Sequence, residues 1–294
     1  MLKTMLPVEV LEDGIRMACR APSYRNSQPW NWIIDHSQLQ LFIAPERVPS
    51  VDHAGRQSLI SCGAALDHLR VAMAANRYDC QVKYFPSANS LAYLASIDIA
   101  PANCVSELQR RRAHAIVDRR SARLPYDKPP NWSQFEPRMH SDVDCRFTYL
   151  DVIEEGDRAE ITETTLLAEQ LRPFESDTNH WGATSSEHGG HERTDGADDH
   201  SVLLVLSAVE NTRRAIFGCG ATLSQVLLEA TMAGFATSIM TRAVEVPATR
   251  DIVTDVVGRA LPQVIVRIGA HCNRDLLPTR APRRPLSDVL HFAE

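Results

Sequence analysis

The sequence lacks any long apolar run. No stretch of its 294 residues approaches the roughly 18–20 consecutive apolar residues that a membrane-spanning helix needs. Its first residues, Met1-Leu2-Lys3-Thr4, contain no apolar core and no cleavage site of a secretory signal. We therefore expect a cytoplasmic protein with no membrane partner.

The chain also lacks a basic excess, since 31 Lys and Arg residues face 37 Asp and Glu residues, for a net charge of −6. Nucleic-acid binders normally carry the opposite balance, so no nucleic-acid partner is expected. There is no Gly-x-Gly-x-x-Gly and no Walker-type loop, which disfavours a Rossmann dehydrogenase and a P-loop enzyme. A Ser-His-Asp catalytic triad is also not indicated. Two His–Asp pairs are close in sequence, His114 with Asp118 and His291 with Asp288, but neither has a serine in a matching context, so no catalytic side chain is predicted.

Cysteine is not organised into a metal or disulfide pattern. The seven cysteines are odd in number, widely scattered and without a Cys-x-x-Cys spacing. The pattern predicts buried, reduced thiols and neither a disulfide framework nor a zinc site.

The acidic excess is confined to one segment, residues 173–200. Seven acidic residues and one arginine lie there, together with few apolar side chains, so the segment cannot offset the entropy of ordering and is predicted to be a mobile loop. Its four histidines are candidate metal ligands, because neutral imidazole binds metals. These histidines are His180, His188, His191 and His200. Their spacing matches no recognised metal site, so no bound metal is predicted.

Hydrophobic periodicity predicts a mixture of helices and strands, and hence an α+β fold class. Helices are predicted at residues 8–20, 56–77, 105–117, 155–172, 211–234 and 247–257. Strands are predicted at residues 29–35, 38–44, 79–85, 91–99, 144–152, 202–207, 236–240 and 263–269.

A weak internal repeat indicates a duplicated architecture. Residues 61–66 and 218–223 share Cys-Gly-Ala-x-Leu in register, and each opens a helix rich in small residues. We place the boundary between the two halves near residues 112–118, which divides the chain into residues 1–115 and residues 116–294.

The most informative segment is residues 19–32, where a helix should end and a strand should begin. Pro22 prevents the helix from continuing, because the residue before a proline is pushed out of the α region. The polar turn that follows holds Ser23, Asn26, Ser27 and Gln28. These side chains suit hydrogen bonding to a flat heteroaromatic ligand, and they suit equally an Asx-type turn that satisfies its own backbone.

Three separate motifs resemble those of nitroreductase-fold flavoproteins. Ala21-Pro22-Ser23-x-x-Asn26-x-Gln28-Pro29-Trp30 is similar to the family's helix-to-strand turn, whose Ser and Asn residues reach the flavin. Arg119-Arg120-Ser121-x-Arg123 resembles its Arg-rich element for the FMN phosphate, and Pro282-Arg283-Arg284-Pro285-Leu286 resembles its closing basic turn. The order of the motifs resembles that of the fused, dormancy-associated Acg-type proteins of actinobacteria.

The resemblance implies a nitroreductase-like fold in two fused, pseudo-symmetric halves, with FMN as cofactor. Arginine suits the phosphate, because its planar fork makes bidentate, charge-assisted bonds. The alternative for these arginines is a solvated basic turn and a surface tail. The predicted cofactor-binding residues are Ser23, Tyr24, Asn26, Ser27, Gln28, Arg119, Arg120, Ser121, Arg123, Arg283 and Arg284.

The two halves do not carry the same motifs. The first half has the turn but no Arg-rich element before it, whereas in the second half Pro130-Asn131-Trp132-Ser133 replaces the turn. One chain should therefore complete one site, and we predict a monomer that mimics a homodimer and binds one FMN.

The resemblance further implies an oxidoreductase that passes electrons from NAD(P)H through FMN to a nitroaromatic, a quinone or a similar acceptor. The alternative is a non-catalytic protein that stores or sequesters FMN and is linked to stress or dormancy. An apoprotein that acts only as an interaction module is the third possibility.

Overall fold

The computed structural model describes residues 6–35, 38–121, 124–141, 143–171, 199–271 and 280–293. The chain divides into two compact units, of which the first comprises Met1–Asp118 with Pro282–Glu294 and the second comprises Arg119–Ala281. This division differs from the predicted one because the C-terminal residues belong to the first unit.

Within its described residues, the first unit contains a five-stranded sheet and three α-helices. The helices are α1 (Val8–Ala18), α2 (Arg56–Ala75) and α3 (Glu107–Asp118), and the strands are β1 (Trp30–Asp35), β2 (Gln38–Ile43), β3 (Tyr78–Tyr84), β4 (Tyr93–Pro101) and β10 (Leu290–Phe292). The strand order is β10-β1-β2-β4-β3. All neighbouring pairs are antiparallel except β1 and β10, which run parallel with Trp32 beside Leu290.

The core of the first unit follows from its apolar pattern. Leu11, Ile15 and Ala18 line one face of α1 and are buried, as helical spacing requires. Trp30 and Trp32 are both 0% exposed and pack in the same core.

The second unit contains the remaining elements. The helices are α4 (Trp132–Ser141), α5 (Arg158–Gln170), α6 (Arg213–Met232), α7 (Arg242–Glu245) and α8 (Pro247–Val257), and the strands are β5 (Tyr126–Asp127), β6 (Thr148–Val152), β7 (Val202–Ala208), β8 (Ala236–Met240) and β9 (Pro262–His271). The sheet order is β5-β9-β7-β6, with β8 also pairing with β9. Apolar residues of α5, β7, α7, α8 and β9 form one buried cluster.

The central helices of the two units match the sequence repeat. Both α2 and α6 have 20 residues, and Cys62 and Cys219 are the seventh residue of each and fully buried. By length and composition α6 could cross a membrane, but two thirds of its most apolar window is buried in the structure. It therefore packs as a core helix of the second unit.

The α+β class is confirmed, and each predicted helix and strand overlaps an observed one. No sequence pattern predicts four further elements, which are short or polar: α4, α7, β5 and β10. The prediction that all cysteines are buried was wrong, because Cys104 and Cys145 are exposed. No disulfide joins the six cysteines among the described residues, and Cys272 lies outside them.

Candidate functional site

The polar turn after α1 has an unusual backbone. Tyr24–Asn26 form a short 3₁₀ helix. Arg25, Asn26 and Gln28 adopt φ values of 51°, 56° and 50°, in the left-handed region that residues other than glycine rarely occupy. Such conformations cost of order 1–3 kcal/mol each and cluster at ligand-binding sites, where the surrounding structure holds them.

Hydrogen bonds inside the first unit fix this turn. The Gln28 N–H donates to Ser23 Oγ at 3.0 Å, and the Tyr24 N–H donates to Ser61 Oγ of α2 at 3.1 Å. The Asn26 amide donates to the Pro282 carbonyl at 3.2 Å, so the C-terminal segment contacts the turn directly.

The two C-terminal arginines hold the turn from the other side. Arg283 Nη1 donates to Asn26 Oδ1 at 3.1 Å, and Arg283 Nη2 donates to the Arg20 carbonyl at 3.3 Å. Arg284 donates its backbone N–H to Gln28 Oε1 at 2.9 Å and its guanidinium to the carbonyls of Gln28 and Trp30, both at 3.2 Å. These bonds explain how the left-handed residues are maintained.

The predicted flavin-binding residues of the turn differ in how many hydrogen-bond donors they have left for a ligand. Gln28 uses both amide donors, on the carbonyls of Asn26 and Pro282, and is 3% exposed, while Ser27 is fully buried. Among the described residues, Ser23 Oγ accepts a hydrogen bond and donates none, so its proton is available to a ligand, and Asn26 retains one amide proton. Tyr24 lies at the start of the turn with the Arg25 guanidinium 5.5 Å from its ring centroid. Ser23 and Asn26 thus keep a donor each, whereas Gln28 uses its side-chain donors within the turn; contact of any of these residues with a ligand stays a prediction.

The Arg-rich element lies in the second unit. Arg119 is buried, and its Nη1 lies 3.4 Å from Ser121 Oγ. Ser121 forms a parallel bridge with Thr237 of β8, which fixes the element against the sheet. Arg120 is half-buried, and Arg123 lies outside the described residues. A guanidinium beside a hydroxyl is a donor pair suited to a phosphate oxygen.

The family resemblance assigns Arg283 and Arg284 to the FMN phosphate, together with the Arg-rich element. Both arginines belong to the first unit, where they contact the turn. Burial, together with the nearby charge of Arg20, lowers the pKa of Arg283. Shared use of these arginines and Arg119 by one phosphate stays a prediction.

No sequence pattern predicts a second feature of this unit, a charged cluster around Asp199. Its carboxylate lies 2.7 Å from Arg267 Nη2, pairs with Arg158 and accepts the Tyr126 N–H at 2.9 Å. The Arg267 guanidinium also lies 4.8 Å from the Tyr126 ring centroid. Asp199 and His200, which belong to the segment 173–200 predicted to be a mobile loop, are thus both held by hydrogen bonds, since the His200 N–H donates to the Tyr126 carbonyl at 2.8 Å. Residues 173–198 lie outside the described part of the chain.

Asp199 should make stability depend on pH. Burial alone would raise the pKa of Asp199, but Arg267, the Tyr126 N–H and Ser201 outweigh it and lower that pKa. A lowered pKa in the folded state stabilises the protein above the unfolded value of about 3.9, and this contribution is lost as the pH falls below it. Asp199→Asn should cost about 1–3 kcal/mol at pH 7 by urea unfolding, with a smaller difference in acid.

Asp151→Asn is the control for that prediction. Asp151 pairs with the exposed Arg259 at 2.9 Å, and such surface pairs contribute about 0–1 kcal/mol. An equal loss of unfolding free energy in both variants, or a loss for Asp199→Asn that does not become smaller in acid, would contradict the stabilising role of the Asp199 carboxylate.

A metal site is not found among the described residues, since no group of three or more His, Cys, Asp or Glu side chains could hold an ion there. Of the four histidines of the acidic segment, His180, His188 and His191 lie outside these residues.

The chain is similar to known proteins both in sequence and in fold. One relative is a Mycobacterium tuberculosis protein named "Putative NAD(P)H nitroreductase acg", to which the chain is 38% identical. The alignment covers 98% of this chain and 97% of the length of that protein. It is 37% identical to a second, uncharacterized M. tuberculosis protein, Rv3127, over 97% of this chain and 94% of that one. The crystal structure of a "putative nitroreductase" from Anabaena variabilis matches 88% of this chain and 73% of its own, with a TM-score of 0.52 at 10% identity.

No protein-family model matches the chain. The α+β fold is nevertheless the nitroreductase fold. With 38% identity over nearly its whole length, the chain belongs to the Acg-type family of nitroreductase-like proteins, and the resemblance stated from the three motifs is confirmed.

Proposed function

We propose that the protein is an FMN-dependent oxidoreductase that takes electrons from NAD(P)H and passes them to a nitroaromatic, quinone or similar acceptor. The observation that carries this proposal is the Ser23–Gln28 turn, in which three non-glycine residues are held in left-handed conformations and two polar side chains keep donors for a ligand. The relative named as an NAD(P)H nitroreductase supports the reaction class.

The described residues fit the demands of FMN. In the first unit, the Ser23 hydroxyl and the Asn26 amide suit the polar edge of the flavin ring. In the second unit, Arg119 and Ser121 suit the phosphate, and Thr237, paired with Ser121, has a buried hydroxyl with no hydrogen-bond partner among the described residues. A buried hydroxyl in that state is usually completed by a bound group or an ordered water.

The cofactor would supply the hydride and electron transfer, and the protein the binding and orientation. Arg119 would neutralise phosphate charge, and Ser23 and Asn26 would orient the ring by hydrogen bonds. No side chain needs to act as a nucleophile, in keeping with the absence of a predicted triad.

We propose one FMN per chain and a monomeric protein. The chain carries one turn of the Ser23–Gln28 type and one Arg-Arg-Ser element. At the place of a second turn, Trp132 begins α4, and Pro130-Asn131-Trp132-Ser133 offers no matching Ser and Asn pattern. We further propose a cytoplasmic location with neither a membrane nor a nucleic acid as partner.

Steady-state assays distinguish an enzyme from a store of FMN. The purified flavoprotein is mixed with NADH or NADPH and with a nitroaromatic or a quinone. Sustained oxidation of the nicotinamide in the presence of an acceptor is the expected result. A protein that binds FMN but is not reduced by either nicotinamide would instead be a storage protein.

The turn should recognise the flavin ring independently of the phosphate. Asn26→Ala removes one amide, whose net contribution is about 1 kcal/mol, and should weaken FMN and riboflavin binding by a similar factor of about five. Fluorescence titration of the apoprotein measures both. The control is Asn76→Ala, which removes an amide bonded to the Ala72 carbonyl at the end of α2. A loss confined to FMN would show that Asn26 serves the phosphate.

A further inference from the structure

One edge of the sheet in the first unit is a continuous seven-residue strand, β3. Among the described residues, β3 pairs with β4 alone, and the strand order ends there. The register runs from Tyr78 beside Pro101 to Tyr84 beside Ala95 without a bulge, and β3 contains no proline. Proteins commonly shorten or bulge an edge strand, or place proline or charged residues in it, so that it does not pair with another chain. The opposite edge, β10, follows this rule with only three residues.

The outer side of β3 presents the backbone groups of alternate residues. Hydrogen-bonded and non-hydrogen-bonded pairs alternate along an antiparallel ladder. At the two ends of the register, the Phe85 N–H donates to the Leu94 carbonyl at 2.8 Å, and the Ala102 N–H donates to the Arg77 carbonyl at 2.7 Å. The odd-numbered residues of β3 therefore bond to β4. The even-numbered residues direct their N–H and C=O groups away from β4, and they are Tyr78, Cys80, Val82 and Tyr84.

The side chains of β3 are arranged symmetrically about Gln81. Asp79 lies two positions before it and Lys83 two positions after it, and all three are exposed. The described residues include no ion pair of either charged side chain. Cys80 and Val82 flank Gln81, and a tyrosine stands at each end of the strand. Charges of one sign would make this edge repel a copy of itself, but two opposite charges at equal distances from the centre match an antiparallel copy.

We propose that β3 pairs with β3 of a second copy of this chain, antiparallel and about a two-fold axis at Gln81. In this register Cys80 lies opposite Val82 of the second copy, so the outward backbone groups of both strands bond to one another. Asp79 lies opposite Lys83 of the second copy, and the two-fold axis repeats this contact. These charged residues form non-hydrogen-bonded pairs, in which the Cα atoms are only about 4.5 Å apart. Opposite charges directly across two strands stabilise their pairing.

The charges select this register over its neighbours. The outward backbone groups also meet if one strand slides by two residues. A slide in one direction places Asp79 opposite Gln81 and Lys83 opposite Arg77 of the second copy, which sets two positive charges against each other. A slide in the other direction places Asp79 opposite Phe85 and Lys83 opposite Gln81, which removes both charge pairs. Only the centred register pairs every charge of β3 with its opposite.

This contact lies outside the proposed flavin site and leaves the proposed monomer complete. None of the predicted FMN-binding residues lies in β3 or β4. A single pair of strands is smaller than the interfaces of about 1,200–2,000 Å² that stable complexes bury, so we expect a dissociation constant on the order of 0.1–1 mM. The monomer should therefore be the species in dilute solution, and the pair should form as the protein is concentrated.

The test is sedimentation equilibrium of the purified protein at concentrations from about 10 µM to about 1 mM, which bracket that constant. The mass of wild type should rise from one chain towards two. Asp79→Lys and Lys83→Glu each place like charges opposite each other, and each should weaken association by about tenfold. The double variant exchanges the two charges and should associate as wild type does. An equimolar mixture of the two single variants should also associate, because each strand then meets the opposite charges.

The matched control is Lys128→Glu, which makes the same change of charge at an exposed lysine outside β3 and should leave association unchanged. A wild type that stays monomeric at the highest concentration would overturn the proposal. Association that is equal in the single variants, or that the double variant does not restore, would show that another surface is used and would also overturn it. FMN content per chain should be the same in all these proteins, so a failure of the proposed function is seen separately.

A cysteine at the two-fold axis tests the register directly. In Gln81→Cys the two new thiols would lie on residues whose Cα atoms are about 4.5 Å apart, within the range of about 4.4–6.8 Å that a disulfide spans. Serine replaces Cys104 and Cys145, the exposed cysteines of the described residues, to limit other cross-links. Mild oxidation with diamide should then give a covalent dimer, and adding Lys83→Glu should suppress it. Equal cross-linking with and without Lys83→Glu would contradict the proposed register.

Discussion

Replacement of Arg119 by alanine is expected to weaken FMN binding by at least tenfold while leaving riboflavin binding nearly unchanged. The side chain is buried and lies beside the Ser121 hydroxyl. A hydrogen bond to a charged group contributes about 1.5–3 kcal/mol, which corresponds to roughly 10- to 150-fold in affinity. Riboflavin has no phosphate and should not depend on this contact. Equilibrium titration of the apoprotein with each flavin gives both dissociation constants.

Two further variants control for charge and for folding. Arg119→Lys keeps the charge but loses the planar fork, so it should retain part of the FMN preference. Arg146→Ala removes an exposed arginine that pairs with Asp144 at 2.7 Å, and it should change neither affinity. Equal losses of FMN and riboflavin binding in Arg119→Ala would show that the substitution damages the fold and that Arg119 does not recognise the phosphate.

Gly269→Ala should produce the largest loss of stability. A Cβ atom at this position in β9 would lie 2.4 Å from Tyr126 Cβ and 2.7 Å from the Asp127 carbonyl oxygen. Neither neighbour is the end of a flexible side chain, so β5 must shift away from β9. We expect a loss of about 3 kcal/mol in the free energy of unfolding, at the upper end of the range for overpacking. Urea denaturation of both proteins measures it.

Gly156→Ala is the matched control, because no atom of the other described residues, its two chain neighbours aside, lies within 4 Å of the point that its new methyl group would occupy, and its backbone is not left-handed. Its stability should stay within about 0.5 kcal/mol of wild type. If Gly269→Ala is equally well tolerated, β5 does not pack against β9 as described. Because β5 closely follows the Arg-Arg-Ser element, Gly269→Ala should also weaken FMN binding.

Local patterns were sufficient to predict most of the secondary structure. The apolar face of α1 and the stop at Pro22 placed the helix and the turn correctly, because both depend on neighbouring residues. By contrast, β10 has three residues and is a strand only because it pairs with β1, more than 250 positions earlier in the chain. The polar sequence of α4, with Pro137 inside it, carries little helical signal of its own.

In the candidate site, too, contacts between residues distant in sequence could not be predicted from local patterns. The polar residues of the turn could be read from the sequence, but their division into supports and free donors depends on Arg283 and Arg284, which are distant in sequence. The Asp199 cluster likewise joins Arg158, Tyr126 and Arg267 across long separations. An acidic residue at the end of an acidic segment gives no sign that it pairs with two arginines.

The most direct test of the account is the flavin content of the purified protein. The flavin is released by denaturation, identified by chromatography and divided by the protein concentration, and light scattering gives the mass of the native species. One FMN per chain in a monomer is the predicted result. Two flavins per chain, FAD in place of FMN, or no retention of FMN by the folded protein would contradict it.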